Sequence, residues 1–332
     1  MQRYYLMLPV LWIAGCDWSS NPVDAGFSTY LQRIAYTQEE SAAKLSANEN
    51  IVLPDQRKLI TNIPSVSIGL LDSYELRKCD LFHLIAEKNS ILGKVQDPFR
   101  NYDYQTELVI GLKKCIVNDA ISTELKSRLR GLLEVKQAQL HLHFSNLVFT
   151  SDAMRAQFSG YEWIDTELKV VHSPIKQALD NLNTNFAFSR QLNPTTQHTA
   201  LTPFQETLEK QSTIGALSYS MLNASIKLDQ VTHQLMKFDS KVICGPQRDL
   251  TRFRTLRNVF SVYYIDQLQP YLANIDGLFL QVEPYLEFTQ SSHLEYSHPI
   301  LELHERFRKS IANHVGYWQK LFKRCNASPT RN

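Results

Sequence analysis

The chain has 332 residues, with 35 Lys and Arg against 33 Asp and Glu, for a formal net charge of +2. Hydrophobic residues make up 43% and charged residues 20%, the balance of an ordinary globular protein able to bury one large core or two smaller ones. Near-neutrality argues against nucleic acid as a partner, because phosphate binding needs a dense cationic face.

The N-terminus carries the strongest localising signal. Met1-Gln2-Arg3 supplies a positive start, Tyr4 to Trp12 an apolar run, and Ile13-Ala14-Gly15-Cys16 an aliphatic-small-small-cysteine ending. The apolar run is too short to span a bilayer before the small residues arrive. This layout resembles a bacterial lipoprotein signal. The resemblance implies cleavage before Cys16, acylation of its sulfur and new amino group, and residues 1–15 lost as the signal peptide. Several acyl chains give stable attachment where one gives marginal binding. Asp17 resembles the inner-membrane retention signal of enteric-type lipoproteins, which implies the periplasmic face of the inner membrane, the outer membrane being the alternative. Residues 16–23 then form a short polar tether, 24–327 a helical globular domain and 328–332 a disordered tail.

Helical periodicity dominates the remainder, and the expected fold class is all-α: a single multi-helix, bundle-like domain with long antiparallel helices. Phe27, Leu31 and Ile34 predict a first helix with Asp24 as its N-cap. Residues 46–66, with Pro54 and Pro64, read as an irregular connection. A long helix is expected from Ser67 to Leu92, with Gly93 placed to stop it. After Asp97-Pro98, Tyr104, Leu108 and Leu112 lead to Cys115. Asn118 or Asp119 opens a further helix through Ile121, Leu125, Leu129, Leu132 and Leu133. His141 to Gly160 reads as less regular, with Ser151 capping a short helix. Glu162 to Arg190 reads as helix interrupted at Ser173-Pro174, and Leu192 to Thr199 as surface loop.

Thr202-Pro203-Phe204-Gln205 has the form of a capping box with proline at the first helical position. Leu217, Met221, Ala224, Leu228, Val231, Leu235 and Phe238 continue as a heptad stripe, with Gly245-Pro246 as its end. The aromatic segment around Phe253, Phe260 and Tyr264 is expected to kink at Pro270. A last helix through Phe307, Ile311, Trp318 and Phe322 ends near Cys325.

Beyond Cys16 the cysteines are Cys79, Cys115, Cys244 and Cys325, an even count that favours disulfides in an exported chain. Three pairings are possible; Cys79–Cys115 and Cys244–Cys325 are favoured because each joins neighbouring elements. In the loop-entropy model they contribute about 4 and about 4.5 kcal/mol. A four-cysteine zinc site lacks the CxxC pair it would need.

Several segments together resemble an uncharacterised gammaproteobacterial lipoprotein family, known as domain of unknown function 3080. They are the Cys16 box, Leu70-Leu71-Asp72 through Cys79-Asp80-Leu81 to Leu84–Lys94, Val259-Phe260 with Tyr264, Gln269-Pro270-Tyr271, and Trp318-Gln319 with Cys325. At Lys88 many relatives are expected to carry arginine, a departure that keeps the charge but loses a planar fork. The resemblance implies lipidation and one shared architecture, and carries no activity.

The candidate polar site is Glu87, Asn89 and Ser90, within the block Glu87-Lys88-Asn89-Ser90 that interrupts buried-looking flanks. If turned inward these groups need partners, since an unpaired buried polar group costs roughly 1–3 kcal/mol. A structural network is favoured over a ligand site or a general acid. His83 with Glu87, and His141 with His143, offer too few ligands for a metal, and no metal or cofactor is expected. His304 and His314 fall on the last helix's apolar stripe and read as core histidines bonded to backbone carbonyls. No GxSxG, SxxK or HExxH string is present. The favoured reading is a non-enzymatic binding or assembly module, held to the membrane by its acyl chains and able to meet an envelope protein partner. The alternative is a cell-envelope hydrolase using Glu87 as acid or base.

Overall fold

The computed structural model describes residues 21–66, 74–90, 93, 96–190, 198–291, 293 and 295–328, so Cys16, Asp17 and the tail beyond residue 328 lie outside the described residues. The fold is all-α. Among the described residues there is no strand, only one antiparallel bridge between Ile51 and Gly160. None of their helices is long and apolar enough to cross a membrane.

Helix α1 (Pro22–Gln38) begins three residues before the expected start. Asn21, not Asp24, caps it, its side-chain oxygen accepting from the Val23 amide at 2.9 Å, with Pro22 at the first position. Residues 41–66 are irregular apart from the single turn α2 (Gln56–Leu59). The continuous helix expected up to Leu92 is broken in its described part. A 3₁₀ turn over Leu76–Cys79 ends at Asp80, whose φ of 66° is left-handed, and α3 (Leu81–Asn89) starts anew. The Asp80 carboxylate takes the Lys114 ammonium at 2.9 Å, a contact outside the helix.

Helix α4 (Pro98–Val117) opens on an Asp97 cap. Helix α5 (Thr123–Thr150) is capped by Ser122, and runs unbroken through residues 141–150, where irregular backbone was expected. Ser151 then caps α6 (Asp152–Phe158) as predicted. Residues 161–172 hold no helix. Ser173-Pro174 opens α7 (Ser173–Ser189) instead of interrupting a longer one, as a proline in the first turn should.

Thr202 forms no capping box. A 3₁₀ turn over Thr202–Phe204 leads into α8 (Gln205–Lys210), and the buried Asp103 carboxylate reaches across from α4 to accept from the Leu201 and Thr202 amides at 2.8 and 2.9 Å. Helix α9 (Thr213–Lys237) carries the heptad stripe inward and ends before Gly245-Pro246. Helix α10 (Thr251–Val259) passes into a π-helical segment over Phe260–Leu268, then α11 (Gln269–Val282). The widened turn accommodates Pro270: the Gln269 amide bonds to the Tyr264 carbonyl five residues back, and the helical run passes on into α11. The turn α12 (Phe288–Ser291) precedes α13 (Ile300–Arg324).

The main core is built on α9, which packs along α13 and against α1, α6 and α11. Trp318, Tyr30, Phe27, Phe279 and Phe158 are among its largest fully buried side chains. A second, smaller core gathers Leu76, Cys79, Leu81, Leu108, Leu112, Cys115, Ile121, Leu125 and Leu129. Helices α4 and α5 run through both. Disulfides join Cys79 to Cys115 and Cys244 to Cys325, the favoured pairing, with Cα separations of 5.3 and 5.0 Å.

A basic cavity between three helices

Helices α3, α4 and α5 enclose a cavity of about 420 Å³, closed on one side by residues 63–66. That volume lies within the range of small-molecule sites. Ile63, Pro64, Val66, Ile85, Leu108 and Leu132 give it an apolar wall; Lys88, Lys136, Gln105, Asn89, Tyr104 and His143 supply polar groups. Among the described residues no acidic side chain lines it.

The sequence sets this arrangement up along α5. Leu125, Leu129 and Leu132 face inward, and the same face continues through Lys136, Gln139 and His143, where polar groups replace apolar ones. Lys136 is only 8% exposed, and its ammonium rests on the Gln105 amide oxygen at 3.2 Å. Lys88, at the end of α3, donates to Gln96 Oε1 at 2.7 Å and Asn101 Oδ1 at 3.0 Å, and lies over the Tyr104 ring. Both ammonium groups thus rest on neutral amide oxygens, which solvate a positive charge without cancelling it. Burial lowers the pKa of each, and Lys88 lowers that of Lys136 further.

His143 completes the set, and its protonation follows from its neighbours. The Lys88 ammonium has only donors, so the Asn101 oxygen must face it. The Asn101 NH₂ is then left to meet His143 Nδ1, at 3.2 Å. Nδ1 therefore accepts, and the ring proton sits on Nε2. That Nε2–H is buried and has no partner among the described residues. Burial, then Lys136 and Lys88, push the His143 pKa down to about 4, so the ring is neutral at physiological pH. Gln139 gives its amide N–H to the Pro64 carbonyl at 3.0 Å, pinning residues 63–66 across the cavity. Its Oε1 is the other unpartnered buried atom on this face of α5.

The residues expected to form a polar site divide around this cavity. Glu87 and Ser90 are exposed and do not line it; Asn89 is exposed and lies at its edge. The Ser90 hydroxyl instead accepts the Gly93 amide at 3.0 Å, a local turn contact. It is Lys88, within the same block, that reaches inward. His83 is exposed and His141 half-buried. Among the described residues no three or more His, Cys, Asp or Glu are grouped to hold a metal.

The histidines of α13 depart from the backbone-bonded reading. His304 bonds to the Asp276 carboxylate at 2.7 Å and stacks on Phe279. His314 is fully buried among the side chains of Tyr30, Thr232 and Trp318.

The family model described as protein of unknown function, DUF3080, matches residues 27–329. The chain belongs to that family. No curated protein and no solved structure matches it. In this DUF3080 chain the matched span includes both disulfides, both cores apart from Val23, and every described lining residue of the basic cavity.

The sequence marked Lys88 as part of a polar block and as a departure from the family pattern, and His143 only as half of a weak metal pair. It passed over Lys136, Gln105 and Asn101. The available signal was the polar replacement along the inward face of α5.

Proposed function

We propose that this protein is a lipid-anchored lipoprotein of the periplasmic face of the inner membrane, acting as a non-enzymatic binding module whose ligand site is the Lys88–Lys136–His143 cavity. One observation carries the binding reading: two ammonium groups and an imidazole N–H without a partner among the described residues converge there, and no carboxylate stands among the described lining residues to oppose them. Convergent donors beside an apolar wall are the make-up of a site that captures and orients a ligand. A hydrolase using Glu87 draws no support from this cavity, because Glu87 lies outside its lining. The anchor reading rests on the order of Arg3, the apolar run, Ala14-Gly15 and Cys16, and the inner-membrane assignment on Asp17.

Native mass spectrometry of the full chain released from membranes tests both parts in one measurement. The expected species begins at an acylated Cys16 and carries an additional non-covalent mass that is absent from a Lys136→Met variant. An intact leader would defeat the anchor; a wild-type chain that never retains such a mass would defeat the binding site.

A further inference from the structure

We infer that the cavity takes an amphipathic organic anion, its carboxylate or phosphate head held between Lys88 and Lys136 and its apolar body against the wall formed by Ile63, Ile85, Leu108 and Leu132. This rests on the binding reading above and adds the class of ligand.

The head group follows from a count of donors. Each ammonium has three N–H groups. Lys88 uses two on Gln96 and Asn101, and Lys136 uses one on Gln105. Three ammonium N–H groups and the His143 Nε2–H are therefore left without an acceptor among the described residues. A neutral ligand would satisfy some of them yet leave two like charges uncompensated in a partly dry site. An anion satisfies the donors and relieves the repulsion between the lysines, and charge-assisted bonds of this kind are about twice as strong as neutral ones. The protonation of His143 matters here. The Lys88–Asn101–His143 relay fixes its proton on Nε2, so the ring is a donor without adding a third charge.

The body follows from the opposite wall. Aliphatic side chains from three helices and from residues 63–66 face a volume of about 420 Å³, several times that of a bare phosphate, which would leave the wall wet. A free organic acid and a membrane lipid present the same chemistry to these residues, and the anchor proposed at Cys16, six residues before α1 begins, would hold the cavity near lipid.

The test uses the full acylated chain in nanodiscs, titrated calorimetrically with hexanoate, inorganic phosphate, 1-hexanol and hexylammonium. Lys136→Met nanodiscs serve as the blank that removes partition into the bilayer. Hexanoate is expected to bind the wild type at least tenfold more tightly than phosphate or hexanol, and hexylammonium not at all. Lys88→Met, at a half-exposed position on another helix, should weaken hexanoate at least fivefold, and Lys88→Arg should restore it. Phosphate binding as tightly as hexanoate would overturn the amphipathic assignment. Hexanol or hexylammonium matching it would overturn the anionic one. If no probe binds while the native mass spectrum retains a ligand, the class is wrong and the binding site stands; if neither is seen, the site itself falls. Nanodiscs of phosphatidylglycerol distinguish the sources: weaker hexanoate binding than in phosphatidylcholine identifies a lipid occupant, and equal binding a free acid. Either outcome keeps the class.

Discussion

His314 shows how a single buried side chain ties stability to pH. The Trp318 indole N–H points at His314 Nε2 at 3.1 Å, so that nitrogen must accept. Nδ1 then carries the proton and donates to Thr232 Oγ1 at 2.9 Å, while Thr232 donates onward to the Leu228 carbonyl at 2.7 Å. A second ring proton would face the indole N–H, and burial pushes the pKa down to about 3. The folded value thus lies below the unfolded one, near 6.5, so the unfolded chain binds more protons and stability falls as pH drops below 6.5. His314→Gln retains one acceptor and one donor but cannot titrate. Urea unfolding should show the variant losing about 2 kcal/mol less than wild type between pH 7 and pH 5. Equal losses would mean that the ring does not titrate as the network requires. His298, fully buried against the Phe158 carbonyl and also lowered to about 4, adds to the same acid sensitivity without sharing the His314 network.

At the scale of elements, close backbone approach fixes where helices meet. A Cβ on Gly215, in the first turn of α9, would stand 1.9 Å from the Ser159 carbonyl oxygen, and one on Gly160 would stand 2.1 Å from the Gly215 oxygen. Both clashes are with backbone, which no rotamer change relieves. Gly277, inside α11, has open space at that position. Chemical denaturation should therefore separate the two glycines: Gly215→Ala loses about 2 kcal/mol or more, and Gly277→Ala gains up to about 1 kcal/mol from helix propensity. A neutral Gly215→Ala would show that α9 can slide away from residues 159–160. The existence of most of these helices was legible from apolar spacing, because burial of one face imposes the period directly. Their starts were less so. Between residues 118 and 122 the chain has three residues able to cap, Asn118, Asp119 and Ser122. Ser122 becomes the cap of α5, its amide held at 2.8 Å by the Glu75 carboxylate, a contact from 47 residues away. Asn118 instead closes a turn onto Ala120. The cavity was hidden for a related reason. Its polar residues come from three helices, and the polar face of α5 that marks it also weakened the apolar stripe, so residues 141–150 read as irregular.

Across the whole molecule, the arrangement of two cores gives the Cys79–Cys115 disulfide a local role. The small core is made from the 3₁₀ turn, α3, the second half of α4 and the first half of α5, and so few buried side chains give little independent stability. The bridge ties its least regular part to α4, and closing a 36-residue loop contributes about 4 kcal/mol in the entropic model. The Cys244–Cys325 bridge lies elsewhere, fastening the end of α13 to the segment after α9, beside the large core. Lys88 stands on α3, so the small core also holds one wall of the basic cavity in place. A Cys79→Ala/Cys115→Ala chain should accordingly keep its large core while the small one opens more readily. In hydrogen exchange, amides of residues 76–89 should lose protection by at least tenfold, whereas those of α9 and α13 stay unchanged. Hexanoate binding should weaken in parallel, because the ammonium that faces Lys136 is no longer fixed. Uniform loss of protection over both cores would instead make the two a single cooperative unit. Unchanged protection in residues 76–89 would mean that packing alone, through Leu76, Leu81 and Leu112, sets the position of α3.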